Sequence, residues 1–587
     1  MEHQQNVKDD ILQDFQDGEL CKSHLNIYGH KVLLLIYGDD VEVCNPLGSR
    51  KHKIGLMYFT IKSLPRKYTS ALEHIYLLAV YNNNDAKAYG MDQILRPIIN
   101  DLKSLESDGI DIETDVFSGN IRFGVAQVVG DNMGVHGLLG FVESFSANFP
   151  CRHCKISRDE IQTQYIASSV LRNEHNYMED VAINDVSATG IRRNSIFNEL
   201  QTFHVTRNYA PDIMHDVLEG VCMWELKIVI RELIRSGKFT LELLNGRITS
   251  YDYGFTDKCN KPTCFTEKDL RSPNAAGQTA AQMWCIMRHF CLMMGDCVEE
   301  DNQYWEVILL LIECMDIIFS PVNTVGETRY LTQLIRDHHQ MYVEVFEAHL
   351  KPKHHFMLHY AKAIREIGPL GQYWAMRFEA KHNDSKQMGH VICNFKNIPL
   401  SLAVKHQMQL CYTLHTRKSL EDSMLEVGPG EATVLASLDD AEIISNLLDN
   451  YPLFDDVFIA KWIKFCGTIY RKGMILVVGK CPDEDPNFGK IHEVLVLPES
   501  KVKFIVQPWS VVGYSRHLHA YVVQKPSILT RLASCDVEQL GENADAELSE
   551  KELEPGEVCE SVAKKSTNRW IRKEAVKVPD KTMMSAK

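Results

Sequence analysis

Two aspartates stand where apolar, strand-length runs end. Val32 to Ile36 gives way to Tyr37, Gly38, Asp39 and Asp40, and Phe123 to Val129 gives way to Gly130 and Asp131. Carboxylates at the ends of neighbouring strands sit on rigid elements and can converge on one spot. Hard divalent cations such as Mg2+ or Mn2+ take oxygen ligands. Phosphodiester chemistry uses two such ions about 3.5–4 Å apart, one activating the attacking oxygen and one stabilising the leaving oxygen. Acids also end strands in many α/β folds, so the pattern alone fits ordinary strand ends as well.

A second chemistry is offered by Cys151-Arg-His-Cys154, the single C-x2-C in the chain, 20 residues beyond Asp131. Two thiolates on one tight turn make half of a tetrahedral zinc site. The other half has its best candidates in KPKHHFMLHY, where His355 and His359 are four residues apart and share one helix face. His354 is a rival at one residue wider spacing. A third constellation is PDIMHDVLEGV, with Asp212, Asp216 and Glu219 near one helical face and His215 close by. It reads as a helix capped by Asp212, with an auxiliary catalytic or second metal role as the sharper alternative.

These groups need elements to hold them. Val32–Ile36, Ile54–Ile61, Ile75–Tyr81 and Phe123–Val129 predict four strands, and the stripe from Ile94 to Leu105 predicts a helix over 91–106. From 142 to 368 the spacing is mostly helical, with stripes such as Trp305–Phe319 and Gln333–Leu350. Residues 421–456 are acidic and read as a connector. Phe465–Tyr470, Met474–Val478, Ile491–Leu497, Val502–Gln507 and Ala520–Val523 predict short strands of a small antiparallel barrel. The polar, charged segment from 526 to 587 reads as disordered.

At 587 residues and 45% hydrophobic, the chain can bury more than one core. Its longest apolar run, near Ile308–Ile312, is bracketed by Glu306, Glu313 and Asp316, which argues against a membrane span. The polar start MEHQQNVKDD does not read as a signal peptide, and seventeen scattered cysteines read as reduced thiols. The expectation is a nuclear or cytoplasmic protein, not a secreted one. A net charge of -15 argues against a surface that grips DNA all over. From Lys351 to Leu420, however, eleven Lys/Arg face three acids, a balance of +8, so this segment is the expected phosphate-facing surface.

LLLIYGDDVEVCNPLGS, FGVAQVVGDNMGVHGLLGFVESFSANFPCRHCK and YWAMRFEAKH, in this order, resemble transposase-derived proteins of the CACTA (CMC, EnSpm) superfamily, from about Val32 to His382. The resemblance implies a DDE triad on an RNase H-like core. The first acid falls on Asp39 (Asp40 as fallback), the second on Asp131 and the last on Glu379, beside Arg377 and Lys381. It also implies two Mg2+ or Mn2+ ions at the triad, and a structural Zn2+ joining the C-x2-C to two histidines ahead of the Glu. The recombination-activating recombinase of immune cells shares that arrangement.

The fold class expected is therefore an α/β RNase H-like core with a mixed sheet, a large α-helical insertion, and a small all-β barrel-like C-terminal domain. The expected boundaries are 1–30 for an N-terminal extension, 31–141 for the first part of the core and 142–368 for the insertion. Residues 369–420 complete the core, 421–456 connect, 457–525 form the barrel and 526–587 the tail. The activity implied is metal-dependent DNA cleavage and strand transfer on duplex DNA, transposon ends and target, by a homo-oligomer without membrane contact. No zinc finger or basic module is seen ahead of the first strand, so a separate DNA-targeting protein is expected. The competing readings are a domesticated, catalytically inactive scaffold that binds DNA or protein, and a general RNase H-type nuclease.

Overall fold

The computed structural model describes residues 10–43, 52–69, 71–167, 170–272, 277–392, 396–416, 424–480, 486–524, 532–536, 546–549 and 560–565. The chain divides into two compact units, one built from 1–225 with 313–422, the other from 226–312 with 423–587. This division runs through the expected helical insertion. Residues 142–225 and 313–368 cluster with the sheet, whereas 226–312 cluster with the C-terminal strands.

The first unit is built on a five-stranded mixed sheet. Its strands are β1 (Lys31–Val43), β2 (His52–Ile61), β3 (Tyr76–Asn82), β4 (Ile110–Glu113) and β5 (Ser118–Val129), in the order β3-β2-β1-β5-β4. β1 pairs antiparallel with β2 and parallel with β5, and β4 and β5 form a hairpin. All four predicted strands are present, three of them longer than their apolar runs and β3, Tyr76–Asn82, shifted by one residue from Ile75–Tyr81; β4, with its alternating acids, gave no apolar signal.

Helix α1 (Met91–Ser107) lays Leu95, Ile99 and Leu102 into a core shared with Leu34, Ile36, Val125 and Val128. The opposite face of β1 is covered by a later helix, Met376–Ile392, whose Phe378 stacks on Tyr37 at 4.4 Å between ring centroids. Both faces of β1 are thus buried, which is why its sequence is continuously apolar rather than alternating.

Between them come α2 (Asn132–Leu139), a nine-residue π-helix (Met214–Cys222), the first residues of α3 (Met223–Arg235), which leaves this unit after Glu225, then α4 (Val325–Phe346), α5 (Pro352–Met357) and α6 (Tyr360–Ile367). The helix Met376–Ile392 is α7, followed by α8 (Ile398–Thr416). Residues 10–30 pack into this unit. Ile11–Leu12 pairs with Asn323–Thr324, and the Tyr28 hydroxyl donates to the Thr202 carbonyl at 2.9 Å.

In the second unit, strands Asp456–Ala460, Ile475–Lys480, Pro486–Leu497, Lys501–Ser515 and Ala520–Gln524 belong to one antiparallel sheet. The run Phe465–Tyr470 is a hairpin rather than one strand. Cys466 and Gly467 adopt φ of 48° and 88°, turning Trp462–Phe465 back onto Thr468–Arg471. The acidic stretch 421–456 is more than a connector. Gly430–Val434 pairs with Asp456–Ala460, and Leu435, Ile444 and Leu448 share a core with Leu495 and Ile505. Among the described residues its acids lie outward while its apolar residues pack. Of the expected disordered tail, Ala533–Asp536 pairs with Lys501–Ser515, and Glu560–Lys565 pairs with Ala520–Gln524. The rest of 526–587, apart from Leu532 and Ala546–Ser549, lies outside the described residues. No helix among the described residues is long and apolar enough to cross a membrane.

Candidate functional site

Tyr37 on β1 pairs with Val129 on β5 in parallel register, so Asp39 and Asp131 each lie two residues beyond a matched position. The strands approach closely here: a Cβ on Gly130 would stand 2.5 Å from the Gly38 carbonyl oxygen. Beyond β5 the chain turns into α2, and the Asp131 carboxylate caps that helix by accepting from the Gly134 N–H. The two-residue period of β1 puts Asp39 on the Tyr37 side, facing α7, and Asp40 on the other. The Tyr37 hydroxyl donates to Asp39 Oδ2 at 3.3 Å, whereas Asp40 is exposed and takes the Asn83 amide.

Glu379 projects from the first turn of α7. Burial and the Asp131 carboxylate push Asp39 up to about 6. Burial, partly offset by His215 and reinforced by Asp39, Glu219 and Asp212, pushes Glu379 up to about 7. The acids distant in sequence therefore feel one another's charge. Their spacing is looser than that of a closed ligand cage: the triad is not among the groups of described residues whose ligand atoms all lie within 4.8 Å of one another.

The π-helix adds His215. Its Nδ1 is 2.5 Å from Asp212 Oδ2, and its Nε2 is 3.3 Å from Glu379 Oε1 and 3.9 Å from Glu219. Burial disfavours a charged imidazole here, but the Asp212, Glu379 and Glu219 carboxylates prevail and raise His215 to about 9. Asp212 Oδ1 meanwhile accepts from Met214 N and Ala375 N, both at 3.1 Å. Ile213 rather than Asp212 is the N-cap residue; Asp212 instead braces the first turn through Met214 N and orients His215. Asp216 departs from the shared-face expectation: it is fully buried against Asn132 and Tyr360. π-helical segments commonly mark functional sites.

Cys151, Cys154, His355 and His359 form the second cluster, all buried, with ligand atoms within 4.8 Å of one another. Cys151 Sγ is 3.5 Å from His359 Nε2, Cys154 Sγ is 3.3 Å from His355 Nε2, and the two Nε2 atoms are 3.1 Å apart. Tetrahedral zinc, with bonds of about 2.3 Å to sulfur and about 2.0–2.1 Å to nitrogen, needs edges of roughly 3.4–3.8 Å. The donor set therefore fits zinc after small adjustments. Burial opposes a thiolate at Cys151, yet the Cys154 thiol and the two imidazoles hold it well below the usual thiol range.

The two histidines do not share one helix: His355 lies in α5, and His359 caps α6 after a break at Leu358. His354 is not a ligand of this cluster. Its Nε2 meets Glu225 Oε1 at 2.8 Å, and Glu225 Oε2 meets His338 Nε2 at 2.8 Å. Glu225 carried no sequence signal; the adjacent His338 and His339 on an otherwise apolar helix face were the hint.

Among the described residues a second close group, Asp257, Cys285 and His289, lies in the other unit. There Arg288 ion-pairs with Asp257, and Tyr251 and Asp257 engage His289. A guanidinium already neutralises that carboxylate, so the group reads as a buried hydrogen-bonded network.

The +8 segment is less available than its sequence suggests. Lys353 donates to the His215 carbonyl at 2.6 Å, Lys362 pairs with Glu366, and Arg365 donates to Thr328. Lys381, expected beside DNA, is buried and pairs with Asp384 at 3.0 Å. Arg377, Lys386, Lys396 and Lys405 are exposed. Comparison with models of known protein families and with curated proteins finds no match for this chain.

Proposed function

We propose that the first unit is the catalytic region of a DDE-type DNA transposase, cutting and joining DNA strands with divalent cations on an RNase H-like core. The observation that carries this reading is the pairing of β1 with β5. It sets Asp39 and Asp131 side by side, with Glu379 of α7 inside their electrostatic reach. Four of the five strands support such a core, β3-β2-β1 joined antiparallel and β1-β5 parallel, whereas the edge strand β4 is an antiparallel hairpin partner of β5; the antiparallel strands of the second unit support a barrel-like accessory domain.

Asp39, Asp131 and Glu379 fit Mg2+ or Mn2+ because all three are half-buried carboxylates, and the burial and neighbouring negative charge that raise Asp39 and Glu379 are relieved by a shared cation. When bound, the ions would polarise the scissile phosphate and lower the pKa of the attacking water. The protein's own groups do the positioning. The Tyr37 hydroxyl holds Asp39, the Gly134 N–H holds Asp131, and His215, oriented by Asp212, holds Glu379. Of the two basic residues that flank Glu379 at two positions' distance, Lys381 is buried and Arg377 is exposed, so Arg377 is the one placed to meet a phosphate. Cys151, Cys154, His355 and His359 would hold a structural Zn2+. The reading carries with it duplex DNA as partner, a homo-oligomer and a nuclear location.

The test is nicking and strand transfer on supercoiled plasmid with Mg2+ or Mn2+. Wild type should cut, EDTA should stop it, and Asp131→Asn or Glu379→Gln should lose roughly 100-fold or more without loss of fold. Intact plasmid under every condition would leave a domesticated scaffold instead. Preference for an RNA–DNA hybrid would leave an RNase H-type nuclease.

A further inference from the structure

Between the Cys2His2 cluster and the acid site runs a chain of fully buried polar side chains. Arg152, inside the C-x2-C turn, donates from NH1 to Asn132 Oδ1 at 2.6 Å and from NH2 to the Ala210 carbonyl at 3.2 Å. Asn132 Nδ2 donates to Asp216 Oδ1 at 2.6 Å, and the Tyr360 hydroxyl donates to Asp216 Oδ2 at 3.0 Å. All four residues are buried. Each is the sequence neighbour of a group already assigned: Arg152 of Cys151, Tyr360 of His359, Asn132 of Asp131, and Asp216 of His215.

We propose that Arg152, Asn132, Asp216 and Tyr360 form a relay that locks the acid site to the cysteine–histidine cluster, so that cation binding at Asp131 and Glu379 depends on it. This rests on the reading of those acids as cation ligands. The chemistry of the relay is directional. A guanidinium only donates and a carboxylate only accepts, so Asn132 has one satisfied orientation, amide oxygen toward Arg152 and amide nitrogen toward Asp216. The bonds that join these four side chains are all buried, and breaking one leaves a polar group unpaired away from water, which is costly. Asn132 opens α2, the helix capped by Asp131, and Asp216 lies in the π-helix that presents His215 to Glu379. The relay therefore ties together the helix that follows Asp131 and the π-helix that carries His215. These four are positioning residues; none touches the acids' ligand face.

The polarity of the relay gives its test. Asn132→Asp puts a carboxylate against Asp216, and adding Asp216→Asn restores every hydrogen bond with the charge moved one residue toward Arg152. Mn2+ binding to the full chain is measured by electron paramagnetic resonance, with zinc content and melting temperature measured on the same samples. Asn132→Asp is expected to keep its zinc and bind Mn2+ about tenfold or more weakly, as outer-shell losses do at metal sites. The double variant is expected to recover most of that affinity.

If Asn132→Asp does not fold, Tyr360→Phe removes a single donor from Asp216 and is expected to weaken Mn2+ severalfold with zinc retained. Unchanged Mn2+ affinity in a folded Asn132→Asp or Tyr360→Phe variant would overturn the relay. So would a folded, zinc-loaded double variant that fails to recover. Wild type that binds Mn2+ no better than Asp131→Asn would instead overturn the functional reading on which the relay rests.

Discussion

At β1 the two-residue period sends Asp39 toward α7 and Asp40 toward Asn83, so adjacent acids meet different neighbours. Asp39→Asn is therefore expected to abolish Mn2+ binding, and Asp40→Asn to leave it within a few-fold of wild type; equal losses in a titration would contradict the assignment. The raised values at Asp39 and Glu379, about 6 and about 7, also set a pH dependence. Both lie above their unfolded values, so the stabilisation from their protonated forms is complete below about pH 4 and is lost as pH climbs through 6 and 7. A divalent cation competes with those protons. Mn2+ should raise the melting temperature by several degrees more at pH 8 than at pH 5.5, and equal shifts would show that these carboxyls do not hold the ion.

The adjacent histidines separate in the same way. His355→Ala should release zinc, whereas His354→Ala should keep it and cost roughly 3–5 kcal/mol, because buried Glu225 loses a partner. Zinc stoichiometry beside denaturant unfolding distinguishes the two. Burial opposes the Glu225 charge, but His338 and His354 hold it down to about 2, so its contribution should disappear as pH falls from about 4.5 toward 2.

Elements act here through how closely they approach. β1 and β5 meet at Gly38 and Gly130; a methyl group added at Gly130 would strike the Gly38 carbonyl, whereas one at Gly38 would meet the Leu138 side chain. Gly130→Ala should cost about 1–3 kcal/mol, as overpacking does, and should weaken cation binding because the strands that carry Asp39 and Asp131 must part. A folded Gly130→Ala protein with unaltered Mn2+ affinity would show that the strand spacing at this point does not set the site. α5 and α6 are separated by a break at Leu358, and across it the Nε2 atoms of His355 and His359 still approach to 3.1 Å, so the pair converges without a continuous helix.

Across the whole molecule, the chain leaves the first unit at Glu225 and re-enters it at Glu313, and the excursion clusters with the C-terminal strands. Within the second unit Trp305 is fully buried, its indole N–H donating to the His517 carbonyl at 3.0 Å, and Arg516 grips Glu306 with two bonds of 2.6 Å. A chain ending near Asp455 should therefore leave the 280–312 helices with exposed apolar surface and should aggregate or lose cooperativity on melting. A soluble truncated chain with an unchanged melting profile would instead support the independent C-terminal domain expected from sequence.

The local features were legible because they depend on neighbours in the chain. Continuous apolar runs marked β1 and β5, three-and-four spacing marked α1, and the lone C-x2-C announced the cysteine–histidine cluster. Chain order alone could not say that His355 rather than His354 faces the thiols, since one residue of rotation on a short helix exchanges them and a distant Glu225 decides which is claimed. Nor could it say that Lys381 turns inward to Asp384, because a charge count carries no direction. The relay from Arg152 through Asn132 to Asp216 was equally hidden, as hydrogen-bond partners 20 and 84 residues apart are joined only when the helices pack. Strand periodicity and turn chemistry are properties of a few consecutive residues. Which polar group satisfies which buried partner is a property of the assembled interior, where each unpaired group would cost about 1–3 kcal/mol.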